Sequence, residues 1–177
     1  MDFSKLRQFQ LTSETDIKQF KCADSDLNDF LFDDAKHFQN ELMAVTYLLE
    51  HMEQNKTAAY FSLLADKITF NPEEKGVWNK LNRNIPNQKR RRSYPAVKIG
   101  RLAVNEEYSG AGLGTFILDN IKYAFANVRR LGCRFVTVDA LSTAVNFYQK
   151  NGFQFFTEQD KDEDTRLMFF DLKNFIC

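Results

Sequence analysis

The chain has 177 residues, with 24 basic and 24 acidic side chains and 18 phenylalanines. That length sets one domain over residues 1–177, with a modest insertion, and the apolar share is ample for a sizeable core. Balanced charge excludes wholesale electrostatic capture of nucleic acid or membrane. No apolar run reaches the roughly 20 residues of a membrane helix.

The N-terminal residues lack the charged-then-apolar pattern of a secretory leader. Residues 3–11 alternate polar and apolar and predict a first strand. Ser13 reads as the cap of a helix to about Phe20. Ser25 reads as the cap of a second, with Asp26 and Asp29 in its first turn. Leu27, Phe30, Leu31, Ala35 and Phe38 recur at helical spacing and give one buried stripe. Cys22, Cys133 and Cys177 are an odd number without metal-type spacing, so they read as reduced thiols of a cytoplasmic protein with no metal site.

Residues 43–50 and 57–65 predict an antiparallel hairpin around a polar turn at 52–56. Residues 66–95 form an irregular insertion with Asn71-Pro72, a short helix near 77–81, Ile85-Pro86 and the basic run Lys89-Arg90-Arg91-Arg92. An apolar strand at 97–104 precedes a helix over 113–130, which Gly132 ends, and residues 134–140 give the next strand. A short helix around Tyr148 follows. Residues 153–157 and 166–172 close a last hairpin about the acidic turn 158–164. The expected class is α/β (α+β), a mixed sheet.

The run Arg101-Leu-Ala-Val-Asn-Glu-Glu-Tyr-Ser-Gly-Ala-Gly-Leu-Gly-Thr115 takes a strand through a glycine-rich turn into a helix. Alternating Gly110, Gly112 and Gly114 let the backbone curl and present consecutive N–H groups at the positive end of a helix dipole. Phosphate oxygens fit such a place. No Lys follows the last glycine, as a P-loop requires. The Gly-x-Gly-x-Gly spacing, past the middle of the chain, departs from a dinucleotide-binding loop. A plain glycine-rich strand-to-helix turn stays open as the alternative.

This stretch resembles the acetyl-CoA loop of the GNAT superfamily of N-acyltransferases, whose core is Gln/Arg-x-x-Gly-x-Gly/Ala. Here Ser109 replaces the usual Gln or Arg. A second run, Asp139-Ala-Leu-Ser-Thr-Ala144-Val-Asn-Phe147-Tyr148-Gln-Lys-Asn-Gly152-Phe153, is similar to the family's Ala-x-x-x-Tyr-x-x-x-Gly-Phe element. The resemblance implies a mostly antiparallel sheet of six to seven strands with a central splay, flanked by about four helices. It implies acetyl-CoA as co-substrate, a primary amine as acceptor and direct transfer in a ternary complex. Leu102, Ala103 and Val104 would pair with the pantetheine. Ser109, Gly110, Ala111, Gly112, Leu113, Gly114 and Thr115 would hold the pyrophosphate, and Asn146 would join the cofactor contacts. Tyr148 would be the general acid for the departing thiolate. Glu50, Glu106 and Glu107 are weak candidates for a base, and His37 and His51 are not assigned one.

The run Phe20-Lys-Cys22-Ala-Asp24-Ser-Asp26-Leu27-Asn28-Asp29-Phe30-Leu31 then Ala35 resembles one branch of the superfamily. That branch includes toxins of type II toxin–antitoxin pairs, which acetylate the α-amino group of aminoacyl-tRNA. Ala23 stands where the branch often has Gly. The resemblance brings in tRNA and a small antitoxin as partners, with Lys80, Arg83, Lys89–Arg92, Arg129 and Arg130 as a local basic patch; the phenylalanine content and the odd Cys177 leave a homodimer open. A small-amine acetyltransferase and a non-catalytic CoA-binding module remain the alternatives.

Overall fold

The computed structural model describes residues 2–83, 85–86, 88, 90–128 and 131–175. Its strands are β1 (Leu6–Gln10), β2 (Val45–His51), β3 (Lys56–Thr69), β4 (Ser93–Val104), β5 (Phe135–Leu141), β6 (Gln154–Phe155) and β7 (Thr165–Asp171). They form one seven-stranded sheet in the order β1-β2-β3-β4-β5-β7-β6. The helices are α1 (Ser25–Asp29), α2 (Ala35–Asn40), α3 (Lys75–Asn82), α4 (Leu113–Tyr123) and α5 (Val145–Lys150). A π-helical turn, Phe30–Asp34, joins α1 to α2. The expected mixed, mostly antiparallel α/β sheet is what the chain forms. Among the described residues no helix is long and apolar enough to cross a membrane.

Two compact units divide the chain: Met1–Leu64 with Ile99–Asn120, and Ala65–Lys98 with Ile121–Cys177. In the first, β1, β2 and β3 are an antiparallel meander whose register pairs Leu6 with His51 and Val45 with Leu63. Its core gathers Leu11, Phe20, Phe30, Leu31, Leu48, Tyr60 and Ala103. Tyr60 is fully buried, and its hydroxyl donates to the Leu27 carbonyl at 2.6 Å. The stripe expected from Leu27 to Phe38 therefore faces this core. Cys22 is buried beside it, and its thiol donates to the Asp24 carbonyl at 3.2 Å.

Two expectations fail here. Residues 13–20 are not helical. The Thr12 N–H donates to the Thr15 hydroxyl at 2.9 Å, while the Lys18 and Gln19 carbonyls accept from the Thr57 hydroxyl and N–H. Side-chain and cross-chain partners thus claim the groups a helix would have paired. The cap of α1 is Asp24 rather than Ser25: the Asp24 carboxylate accepts from the Leu27 N–H at 3.3 Å. Ser25 is the first helical residue.

The second unit holds β5, β7 and β6, with Phe135 opposite Asp171 and Gln154 opposite Phe169. Its core is aromatic: Trp78, Tyr94, Phe135, Phe156 and Phe169 join Ile68, Leu81 and Ile85. Trp78 stacks on Tyr94 with centroids 5.3 Å apart. The Tyr94 hydroxyl donates to Asn82 Oδ1 at 2.6 Å, and Asn82 Nδ2 donates to the Trp78 carbonyl at 3.0 Å. The segment expected to be irregular is therefore largely ordered, with β3 running on to Thr69, α3 burying Trp78 and β4 beginning at Ser93. The helix expected over 113–130 ends earlier in regular form, at Tyr123, and a π-helical turn, Ala124–Val128, follows. Cys133 donates to the Phe135 carbonyl at 3.2 Å, and burial pushes its thiol up to about 11.

Replacing Tyr60 by Phe removes a buried donor while keeping the ring. The expected loss is about 1 kcal/mol of unfolding free energy, read by urea denaturation.

Candidate active site

In the first unit the site begins with the end of β4. Ala103 is buried in the core, whereas Leu102 and Val104 are half-buried. At Gly100, two residues earlier, a Cβ would lie 2.7 Å from Leu64 Cδ2, so that side-chain end would have to shift. Asn105, 3% exposed, closes the strand. Its N–H donates to the Ala58 carbonyl at 2.9 Å and its Nδ2 to the Thr57 carbonyl at 3.0 Å. Its Oδ1 accepts from the Glu107 N–H at 3.1 Å, so one side chain secures the strand and starts the next turn.

That turn, Glu106–Tyr108, carries the chain to Ser109. Tyr108 is buried, stacks on His51 with rings 7° from parallel, and donates its hydroxyl to Gln54 Oε1. Gly110 and Gly112 then adopt φ of 73° and 83°. In this left-handed region an L-side chain is strained, so the alternation has a backbone cause at these two positions. Gly114 needs no such freedom; it lies inside α4. The Phe116 N–H makes a helical bond back to the Gly112 carbonyl at 3.0 Å. The N–H groups of Leu113, Gly114 and Thr115 precede it in the first turn, where an α-helix has no internal acceptors to offer. Ser109, Gly110, Gly112 and Thr115 are exposed, with Ala111 half-buried. Leu113 is buried and anchors the helix start. These residues form an open loop on the end of a strand, with the geometry an anion cradle requires.

The acidic candidates nearby are all engaged with cations. Glu106 pairs with Lys21 at 3.0 Å and Glu107 with Lys56 at 2.7 Å. Glu50, nearly buried, pairs with Arg7 at 3.2 Å. His51 is buried beneath Tyr108, and His37 is exposed on α2.

In the second unit, α5 carries Asn146 on its exposed side and Tyr148 on its buried one. Tyr148 is 6% exposed. Its ring meets Phe147 and Phe153 edge-on, at 5.1 and 5.3 Å. Burial holds the phenol above its ordinary pKa of 10.0. The helix stops at Gly152, φ 83°, where a Cβ would also come within 3.0 Å of Phe170 Cε2. The Gly152 N–H donates to the Gln149 carbonyl and the Phe153 N–H to the Tyr148 carbonyl, at 2.9 and 3.0 Å. These are the two bonds of a Schellman stop, and the Tyr148–Phe153 contact is its usual apolar clasp.

Of the basic residues, Lys89, Arg129 and Arg130 lie outside the described residues, as does Cys177. Lys80, Arg83, Arg91 and Arg92 are exposed. Arg90 is different: it donates to the Asn82 and Ile85 carbonyls at 3.1 and 3.3 Å and serves as a loop tether. Sequence reasoning missed Asn105 and Tyr108, which hold the strand-to-loop junction of the first unit, and Lys122, which in the second donates to the Asn151 carbonyl at the end of α5. Only Asn105 left a signal, as an Asn just after a strand and two residues before the N–H it caps.

Residues 81–155 match the family model of the acetyltransferase (GNAT) domain. A solved bacterial toxin superposes with a TM-score of 0.78 at 16% identity, over 96% of this chain and 92% of its own. AtaTR bound with acetyl-CoA gives 0.76 at 21%, over 97% and 96%. AtaT complexed with acetyl-methionyl-tRNAfMet gives 0.75 at 21%, over 96% of both chains. At these identities the likeness establishes the fold. Residues 81–155 are thus similar to the GNAT domain, and the chain shares the fold of these solved structures.

Gly110→Ala and Gly112→Ala each force an L-residue into the left-handed region, at about 1–2 kcal/mol. Calorimetry should show CoA binding weakened by roughly tenfold for each, while Gly132→Ala leaves it unchanged.

Proposed function

We propose that this chain transfers an acetyl group from acetyl-CoA to a primary amine, by direct attack within a ternary complex. The observation that carries the reading is the cradle at 109–115, two left-handed glycines feeding a helix start. Those N–H groups would bind the CoA pyrophosphate, because the first turn of α4 presents unpaired donors and a positive dipole end. Leu102, Ala103 and Val104 would pair main-chain groups with the pantetheine amides as an added strand. Asn146 would add a polar contact from α5.

Acyl transfer joins the amine nitrogen to the carbonyl carbon and breaks the carbon–sulfur bond. The departing thiolate needs a proton, and Tyr148 would supply it from a phenol that burial keeps protonated. The amine's proton leaves to water, and the phenolate then recovers one from solvent. No carboxylate near the cradle is unengaged by a cation among Glu50, Glu106 and Glu107. A substrate whose amine is already neutral near pH 7 removes the need for a base. An aminoacyl ester is such a substrate, its amine being more acidic than an ordinary α-amine of pKa about 7.7–8.0.

That chemistry favours the α-amino group of aminoacyl-tRNA as the acceptor. The likeness to AtaT in complex with acetyl-methionyl-tRNAfMet supports the same choice. Exposed Lys80, Arg83, Arg91 and Arg92 would give RNA phosphates a local foothold on a chain with no net charge. A small antitoxin is the corresponding protein partner, as AtaT binds the C-terminus of AtaR.

Tyr148→Phe should lower kcat by roughly 10²–10⁴-fold and leave the acetyl-CoA Kd unchanged, measured by thiol release and by calorimetry. Because the phenol's pKa is raised, wild-type turnover should show no alkaline limb below pH 10 from this group. In a cell-free extract the protein should stop translation only when acetyl-CoA is supplied. Continued translation, with small amines acetylated efficiently, would overturn the tRNA acceptor. No thiol release from any amine would leave a CoA-binding module.

A further inference from the structure

Lys122 is 4% exposed, an unusual depth for a lysine. It sits one residue before the end of α4, and its Nζ donates to the Asn151 carbonyl at 3.0 Å. Asn151 is the C-cap of α5, so the lysine places a donor where that helix ends in unpaired carbonyls and negative dipole charge. The same ammonium lies over three phenylalanine rings: Phe170 at 4.6 Å, Phe175 at 5.6 Å and Phe153 at 5.9 Å. Phe153 is the ring that clasps Tyr148 from the other side of the Schellman stop. Two links therefore run from Lys122 to the phenol, one through the Asn151 main chain and one through the Phe153 ring.

We infer that Lys122 is a positioning residue for Tyr148, locking the last turn of α5 so that the phenol is held at one place and tilt. The inference rests on the reading of Tyr148 as the general acid. A loosened α5 turn would still fold and still leave the cradle at 109–115 intact, but the proton donor would be misaligned. Misplacement on the scale of an ångström costs catalysis far more than binding.

The test is a double-mutant cycle in thiol release with a fixed amine acceptor. Lys122→Met keeps the stem that packs on the rings and removes the cation and its donated bond. Its kcat should fall roughly 10- to 100-fold, with the KM for acetyl-CoA within about twofold of wild type. Lys122→Arg, which keeps a charged donor, should recover much of that loss. In a Tyr148→Phe background, Lys122→Met should cost nothing further, because there is no proton donor left to position. Should Lys122→Met not fold, Phe153→Leu breaks the second link and must show the same non-additivity. A loss that multiplies with Tyr148→Phe, or that falls on the KM for acetyl-CoA, overturns the inference. If Tyr148→Phe alone is as active as wild type, it is the general-acid reading that fails, and the cycle shows this in its first arm.

Discussion

The strand-to-loop junction depends on a single buried amide. Asn105 donates to one strand of the sheet and accepts from the turn that follows, and it does so at the end of the strand expected to carry the pantetheine. An N–H or C=O left unpaired at that depth would cost roughly 1–3 kcal/mol. Every group it touches is main chain, so the side chain sets backbone position directly. The two left-handed glycines come five and seven residues later and inherit that starting direction. Tyr108, buried just before them in sequence, stacks on His51 and bonds Gln54. The loop at 109–112 is open to solvent, while Asn105 and Tyr108 before it are buried and hydrogen-bonded.

The second unit follows the same logic with different means. Its core is a chain of aromatic edges and faces from Trp78 through Tyr94 and Phe135 to Phe169. Rings give large buried area with few rotatable bonds. The α5 turn sits on the rim of a second aromatic group, Phe153 with Phe170, and Gly152 lets the chain pass that ring closely. A six-residue helix has little stability of its own. Its geometry is set by what it leans on.

What the sequence disclosed was local. Gly110, Gly112 and Gly152 announced themselves because each answers a backbone demand that one residue type meets, and Tyr148 stood at a fixed step from the last of them. The strands around 45–51 and 135–141 were legible from apolar runs between turn residues. The helix expected after Ser13 was not, since its groups are claimed by Thr57, more than thirty residues on. The order within 66–95 was hidden for a similar reason: its weak local patterning is outweighed by the burial of Trp78 and Tyr94 against distant rings. Asn105 and Lys122 lie 48 and 29 residues from the carbonyls they hold, and no local pattern points to those distant partners.

Two thiols described above bear on the thioester chemistry proposed for this chain. Acyl exchange from sulfur to sulfur requires an attacking thiolate. Burial raises Cys22 and sends Cys133 to about 11, so at neutral pH both remain un-ionised. A chain proposed to use a thioester donor can thus carry cysteines that, held as thiols, make poor acyl acceptors.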